Sequence, residues 1–224
     1  GNQPFEPEVF KDDKFERFEE QGGSTTSKGD WAWLQHTLAS LKDGGRAAVV
    51  LDTGAVSRGS GSKNEDKERN IRKWFVEKDY IEGVILLPEN LFYNTTAPGI
   101  VIVLNKNKQK ARKGKVVLIN ATNEFKKGQP KNYLVQEGLK RIAETFLNLS
   151  DTEGFSRVVD LVTVESNDFN LSPSRYITTE SQSETRSLFE IWSELLDLQQ
   201  KSKHLHETLV PIMAPLVRKD SPNV

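Results

Sequence analysis

Residues 83–105 read GVILLPENLFYNTTAPGIVIVLN, two apolar runs joined by a polar loop that carries Phe92 and Tyr93. The runs, residues 84–87 and 100–104, do not alternate, so both read as central strands of a sheet covered on two faces. Ligand-binding groups in open α/β sheets stand beyond the carboxyl ends of strands, which makes the Phe92–Tyr93 loop a functional edge. A second candidate follows directly. Residues 105–114, NKNKQKARKG, carry five positive charges, among them Lys106, Lys108 and Lys110. Cations at a strand end can touch a DNA backbone, because neutralising phosphates releases counterions whatever the base sequence. A solubilising hairpin tip is the plain alternative.

Two further stretches are weaker. Residues 52–63, DTGAVSRGSGSK, have the glycine and serine content of a phosphate-cradling loop but match no phosphate-loop spacing, and a plain flexible connection is the favoured reading. Arg69, Arg72 and Lys73 fall on the wetter faces of the next helix, where charge is ordinarily a solvated surface.

Composition excludes several chemistries. The 224 residues hold 31 basic and 32 acidic side chains, so no global positive field marks a nucleic-acid partner and any basic surface is local. There is no cysteine, hence no disulfide framework and no thiolate chemistry, and three scattered histidines offer no metal site. The cytoplasm is the default compartment for such a chain. No apolar run approaches the roughly 20 residues that span a bilayer. The chain opens Gly1-Asn2 without methionine, which reads as a fragment or a processed chain; removal of an initiator or tag is the lesser alternative.

The elements that must position these residues follow in order. Trp31, Leu34, Leu38 and Leu41 repeat at helical spacing behind Asp30 as cap, and Gly44-Gly45 stops the helix. Residues 46–51, RAAVVL, read as a buried strand, and residues 65–80 as a helix with Asn64 as cap and Ile71, Trp74 and Phe75 along one side. Residues 115–120, KVVLIN, are a further strand, so residues 99–120 read as a hairpin at the edge of the sheet. A helix over 136–149 and a short strand near 157–162 complete the first domain, residues 1–176. From residue 184, Leu188, Ile191, Leu195, Leu198, Leu205, Leu209 and Ile212 fall on a seven-residue repeat. This predicts a long helix with a narrow apolar seam, ended near Val210 by Pro211. Residues 177–213 thus form a helical tail, offered to a partner helix or packed on its own domain, and 214–224 a frayed end.

One resemblance covers nearly the whole chain. Residues 45–106, with GRAAVVLDTGAVSRG and ERNIRKWFVEKDYIEGVILLPENLFYNTTAPGIVIVLNK, are similar to the modification subunits of type I restriction-modification systems. Lys131-Asn132-Tyr133-Leu134 and the run 167–176, NDFNLSPSRY, extend the likeness. Asn2-Gln3-Pro4-Phe5 resembles the Asn-Pro-Pro-aromatic motif of DNA amino-methyltransferases. The resemblance implies an α/β fold, part of a doubly wound Rossmann-like methyltransferase sheet with a long C-terminal helix. The implied activity is methyl transfer from S-adenosyl-methionine to the exocyclic amine of an adenine flipped out of the duplex. That amine is a poor nucleophile while its lone pair is delocalised, so two acceptors aimed at its hydrogens favour the reactive, tetrahedral nitrogen. By resemblance Asn2 supplies a side-chain carbonyl, the next residue a main-chain carbonyl, and Phe5 stacks on the base. Gln3 replaces the motif's first proline; the carbonyl survives but the fixed φ is lost. The Phe92–Tyr93 loop resembles the place where a second aromatic approaches the target base.

The glycine-rich donor loop that precedes this motif in the family does not occur before Asn2, so the chain by itself is expected neither to bind the donor well nor to methylate DNA. The resemblance further implies DNA, a specificity subunit meeting the 184–210 helix, a second modification subunit and a restriction subunit as partners, and no metal. An assembly module with a methyltransferase-like fold but no chemistry is a competing reading. A generic nucleic-acid-binding domain, resting on residues 106–115, is the third.

Overall fold

The structure is a computed structural model, and it describes residues 8–25, 28–178 and 188–217. The chain divides into two compact units, Gly1–Thr179 and Glu180–Val224. In the first, five strands form one sheet: β1 (Arg46–Asp52), β2 (Ile81–Leu86), β3 (Gly99–Asn105), β4 (Lys115–Asn120) and β7 (Ser156–Asp160), in the order β1-β3-β2-β4-β7. β3 runs antiparallel to both β1 and β2, β4 is parallel to β2, and β7 is antiparallel to β4. The carboxyl ends of β1, β2 and β4 therefore share one edge of the sheet. The basic turn 106–114, which leaves the far end of β3, lies on the opposite edge.

The apolar runs explain the middle of this sheet. Val84, Ile100, Ile102, Leu104, Val116 and Leu118 are buried and pack on Trp31, Leu34 and Leu38 of α2 (Asp30–Ser40) and on Ile71 and Phe75 of α3 (Lys67–Glu77). Truncating a fully buried ring such as Phe75 costs roughly 3–5 kcal/mol, so this face carries much of the stability. The other face is closed by Ile142 and Phe146 of α4 (Gln136–Asn148) over Val117 and Ile119. Gly83 permits that approach, since a Cβ there would lie 2.6 Å from Phe146 Cε2 and 2.9 Å from the Val117 carbonyl oxygen. Short helices α1 (Glu8–Lys11), α5 (Leu161–Ser166) and α6 (Pro173–Tyr176) and a two-stranded ladder, β5 (Phe125–Lys126) with β6 (Tyr133–Leu134), complete the unit.

Several expectations are corrected. β3 and β4 do not form an edge hairpin: β2 lies between them, and β3 pairs with β1 and β2 instead. β1 is an edge strand whose residues alternate between exposed and half-buried, so Ala48 and Val50 face outward despite their apolar side chains. The cap position of α2 is Gly29 rather than Asp30, which is the first residue of the helix, is buried and pairs with Arg58. The cap of α3 is Asp66, whose carboxylate accepts from Arg69 N, rather than Asn64. Arg72, expected on a wet face, is fully buried.

In the second unit, α7 (Leu188–Val217) forms the predicted long helix but continues through Pro211. Each of its prolines, Pro211 and Pro215, removes one amide donor, and the helix continues past both. Phe189, Trp192, Leu195, Leu198, Leu205 and Leu209 are exposed along it. No helix among the described residues is long and apolar enough to cross a membrane.

Candidate nucleic-acid interface

The loop after β2, residues 87–98, turns back on itself through hydrogen bonds from Leu87 N to the Gly99 carbonyl (2.9 Å) and from Asn90 N to the Thr96 carbonyl (2.9 Å). Asn90 adopts a φ of 57°, a conformation asparagine tolerates better than most side chains. Phe92 is half-buried and its ring covers the start of β3, where a Cβ on Gly99 would lie 2.5 Å from Phe92 Cε2. Tyr93 points the other way and is 86% exposed. The two aromatics are thus divided: Phe92 fixes the loop, and Tyr93 is presented.

A second segment braces this loop from 36 to 43 positions further along the chain. Lys131 Nζ donates to Asn90 Oδ1 (2.8 Å) and to the Thr95 carbonyl (3.0 Å). Asn132 donates through its backbone N to the Asn90 carbonyl (2.9 Å) and through Nδ2 to that of Glu89 (3.0 Å). Tyr133 follows at once in β6 and is 53% exposed. The loop after β2 and the β5–β6 ladder therefore form one surface at the carboxyl edge of the sheet.

The neighbouring loop, residues 53–66 after β1, is equally tied down. Asp52 caps its first turn by accepting from Gly54 N (2.8 Å). Arg58 is bound by Glu68 (2.5 and 2.9 Å), Asp52 (3.1 Å) and Asp30, and Glu68 first, with Asp30, holds its proton above the ordinary arginine value. Arg72 donates from Nε to the Phe169 carbonyl (2.6 Å), and from its other nitrogens to the carbonyls of Ala55 (3.2 Å) and Arg58 (2.9 Å) and to Ser60 Oγ (2.6 Å). Burial pushes its guanidinium down to about 10. Asp168 and Phe169 both take left-handed φ values, 52° and 55°, which turns Asp168 towards the loop to accept from Gly61 N (2.6 Å) while its carbonyl accepts from Ser60 Oγ (2.9 Å). The 167–176 run thus does for this loop what residues 131–132 do for the other.

Those bonds also decide what the glycine- and serine-rich loop can hold. A Cβ at Gly54 would collide with Arg58 Nη1 and approach Asp52 Oδ1 to 2.8 Å, and one at Gly59 would strike Asp66. At Gly54 and Gly59 the missing side chain makes room for the chain's own Arg58, Asp52 and Asp66 rather than for a ligand. Among the described residues no group of three or more His, Cys, Asp or Glu could hold a metal.

The remaining candidates are placed elsewhere. Lys106 Nζ donates to the Leu41 carbonyl (2.8 Å), and Lys108 is buried with its ammonium on Asp79 Oδ1 (2.5 Å) and the Lys115 carbonyl (2.8 Å). Lys110 is exposed in the same turn. All three lie across the sheet from Tyr93, separated by the seven residues of β3, roughly 20 Å of strand. Asn2, Gln3, Pro4 and Phe5 lie outside the described residues. Tyr133 and its supporting lysine and asparagine had no functional signal beyond their place in the family resemblance.

The N-6 DNA methylase family model matches residues 1–185. The chain is 42% identical over 196 residues to the type I restriction enzyme MjaVII methylase subunit of Methanocaldococcus jannaschii, covering 86% of this chain and 32% of that protein. It is 29% identical over 197 residues to the MpnII methylase subunit of Mycoplasma pneumoniae, covering 84% of this chain and 35% of that one. The solved structure of a type I restriction-modification methyltransferase subunit from Streptococcus thermophilus matches with a TM-score of 0.70 and 31% identity, over 79% of this chain and 36% of that chain. The EcoKI M protein, at a TM-score of 0.53 and 18% identity over 66% of this chain and 38% of that chain, shares the fold. The chain spans about a third of the length of these relatives. It belongs to the N-6 DNA methylase family, in the branch of type I restriction enzyme methylase subunits.

Proposed function

We propose that this chain is the target-base side of an adenine-N6 DNA methyltransferase subunit of a type I restriction-modification system. The observation that carries the reading, beyond family membership, is the exposed Tyr93 on a loop whose Glu89, Asn90 and Thr95 are held by Lys131 and Asn132, at the carboxyl edge of the sheet. A flat, exposed ring on a braced loop offers a stacking surface for an unstacked base. Asn2 and the carbonyl of Gln3 would accept from the adenine amine, with Pro4 setting the turn and Phe5 stacking on the base. S-adenosyl-methionine supplies the methyl group when bound, at a site in the rest of the subunit, and the 224-residue polypeptide alone retains neither donor nor activity. The domain plan is a catalytic-domain portion over residues 1–176 followed by a helical tail that meets a specificity subunit, whose helix reaches Val217 rather than ending before the short end expected from 214. A second modification subunit and a restriction subunit complete the assembly.

The test is methyl transfer from S-adenosyl-methionine to unmethylated DNA by the complete subunit assembled with its specificity subunit, read as N6-methyladenine. Product from the assembly and none from residues 1–224 alone supports the reading; tight stoichiometric donor binding to the isolated chain contradicts it. The second reading, a non-catalytic assembly module, is favoured by Gln3 standing where the motif has proline. An intact assembly that forms no N6-methyladenine would establish it.

A further inference from the structure

We infer that the β5–β6 hairpin is a DNA-backbone contact that flanks the target base, with Lys126 and Lys127 on phosphates and Tyr133 beside them. This deepens the proposed function and rests on it. In the ladder Lys126 is directly opposite Tyr133, and Phe125 opposite Leu134. Opposite residues of an antiparallel pair share a face, with Cβ atoms about 5 Å apart. Phe125 and Leu134 are half-buried, which leaves Lys126 and Tyr133 on the outer face, both exposed. Gly128 lets the Tyr133 ring lie over the turn, since a Cβ there would come within 3.2 Å of Tyr133 Cδ1.

Charge singles out the same surface. Residues 88–98 and 125–134 together hold three lysines and one glutamate, in a chain whose net charge is −1. Lys131 is engaged within the brace, so Lys126 and Lys127 remain to face outward. The preceding carboxylate, Glu124, is paired with Arg141 at 2.6 Å. Two cations beside an exposed ring, fixed to the loop that presents Tyr93, suit a partner made of phosphates and flat bases. The carboxylate-rich surface of a partner protein would use the lysines but would have no need of the ring.

The experiment measures DNA affinity of the complete assembly against salt concentration. Lys126→Ala/Lys127→Ala should lower the slope of log affinity on log salt by roughly two, about one per lost phosphate contact. Tyr133→Ala should weaken binding roughly tenfold while Tyr133→Phe retains it, because stacking needs the ring and not the hydroxyl. Lys110→Ala/Lys113→Ala, equal in charge but on the opposite edge of the sheet, should leave the slope unchanged. An unchanged slope in the hairpin variant overturns the inference, and if co-purification with the specificity subunit falls instead, the hairpin is a protein contact. N6-methyladenine formation by the unmodified assembly is recorded in parallel. Its presence with an unchanged slope sinks only the hairpin's role; its absence sinks the proposed function as well.

Discussion

Arg72 Nε donates to the carbonyl oxygen of Phe169 at 2.6 Å, joining residues 97 positions apart in a fully buried contact. Phe169 can present that carbonyl because it and Asp168 are both in the left-handed region. The same guanidinium reaches Ala55, Arg58 and Ser60, so one side chain fastens the loop after β1 to the 167–176 segment. Arginine suits this position because its planar fork carries five donors at fixed angles and stays charged.

Replacing Arg72 by methionine leaves the buried Phe169 carbonyl without that donor, removes further bonds to Ala55, Arg58 and Ser60, and should destabilise the first unit by about 3–5 kcal/mol. A melting temperature roughly 10 °C lower is expected for a unit of this size. Arg72→Lys should restore little, since an ammonium cannot span the same acceptors. Differential scanning calorimetry checks both variants, and a fall of under about 1 kcal/mol for methionine would show that the contact is dispensable.

Alkaline stability should carry the mark of Tyr176, whose hydroxyl donates to the Asn170 carbonyl (2.5 Å) and whose burial pushes its proton affinity from 10.0 up to about 12. Between those values the native state keeps a proton that the unfolded chain has released. The unfolded state then binds fewer protons, and stability falls as pH rises from 10 towards 12. Lys108 acts in the opposite sense: burial lowers its affinity, so below 10.5 the unfolded state binds more protons and stability rises with pH. Tyr176→Phe removes only the first effect. Tyrosinate absorbance should lose its late-titrating component in that variant, and an unchanged titration would refute the assignment.

Lys131→Ala removes two of the three side-chain bonds that tie the hairpin to the loop after β2, leaving that of Asn132. Amide exchange across residues 88–97 should speed up severalfold while the strands keep their protection, as local opening requires. Equal exchange in both proteins would mean that Asn132 alone holds the loop.

The exposed stripe of α7 predicts a partner. Leu198→Lys with Leu205→Lys should abolish co-purification with the specificity subunit and leave the melting of the first unit within about 0.5 kcal/mol of the parent. Retained association would place the contact elsewhere.

The strands and helices were legible because continuous apolar runs and helical spacing mark them locally. Pairing was not, because nothing in residues 99–120 encodes that β2 would come between β3 and β4. The outward face of β1 misled for a related reason: Ala48 and Val50 have core-like side chains at an edge. Arg72 looked solvated because three of its four partners are backbone carbonyls, which leave no trace in residue type. Lys106 and Lys108 drew notice for charge that is consumed by Leu41, Asp79 and Lys115 inside the fold. Tyr93 was found from its loop, whereas Lys131 and Asn132, which hold that loop, had no signal apart from the family likeness.

The most direct test is the rate of N6-methyladenine formation by the complete assembly at saturating DNA and donor, with Tyr93→Ala and Tyr93→Phe compared with the parent. A ring that steadies the extruded base predicts at least a tenfold loss for alanine, near-parental rates for phenylalanine, and unchanged melting for both. Parental rates from Tyr93→Ala would contradict the account.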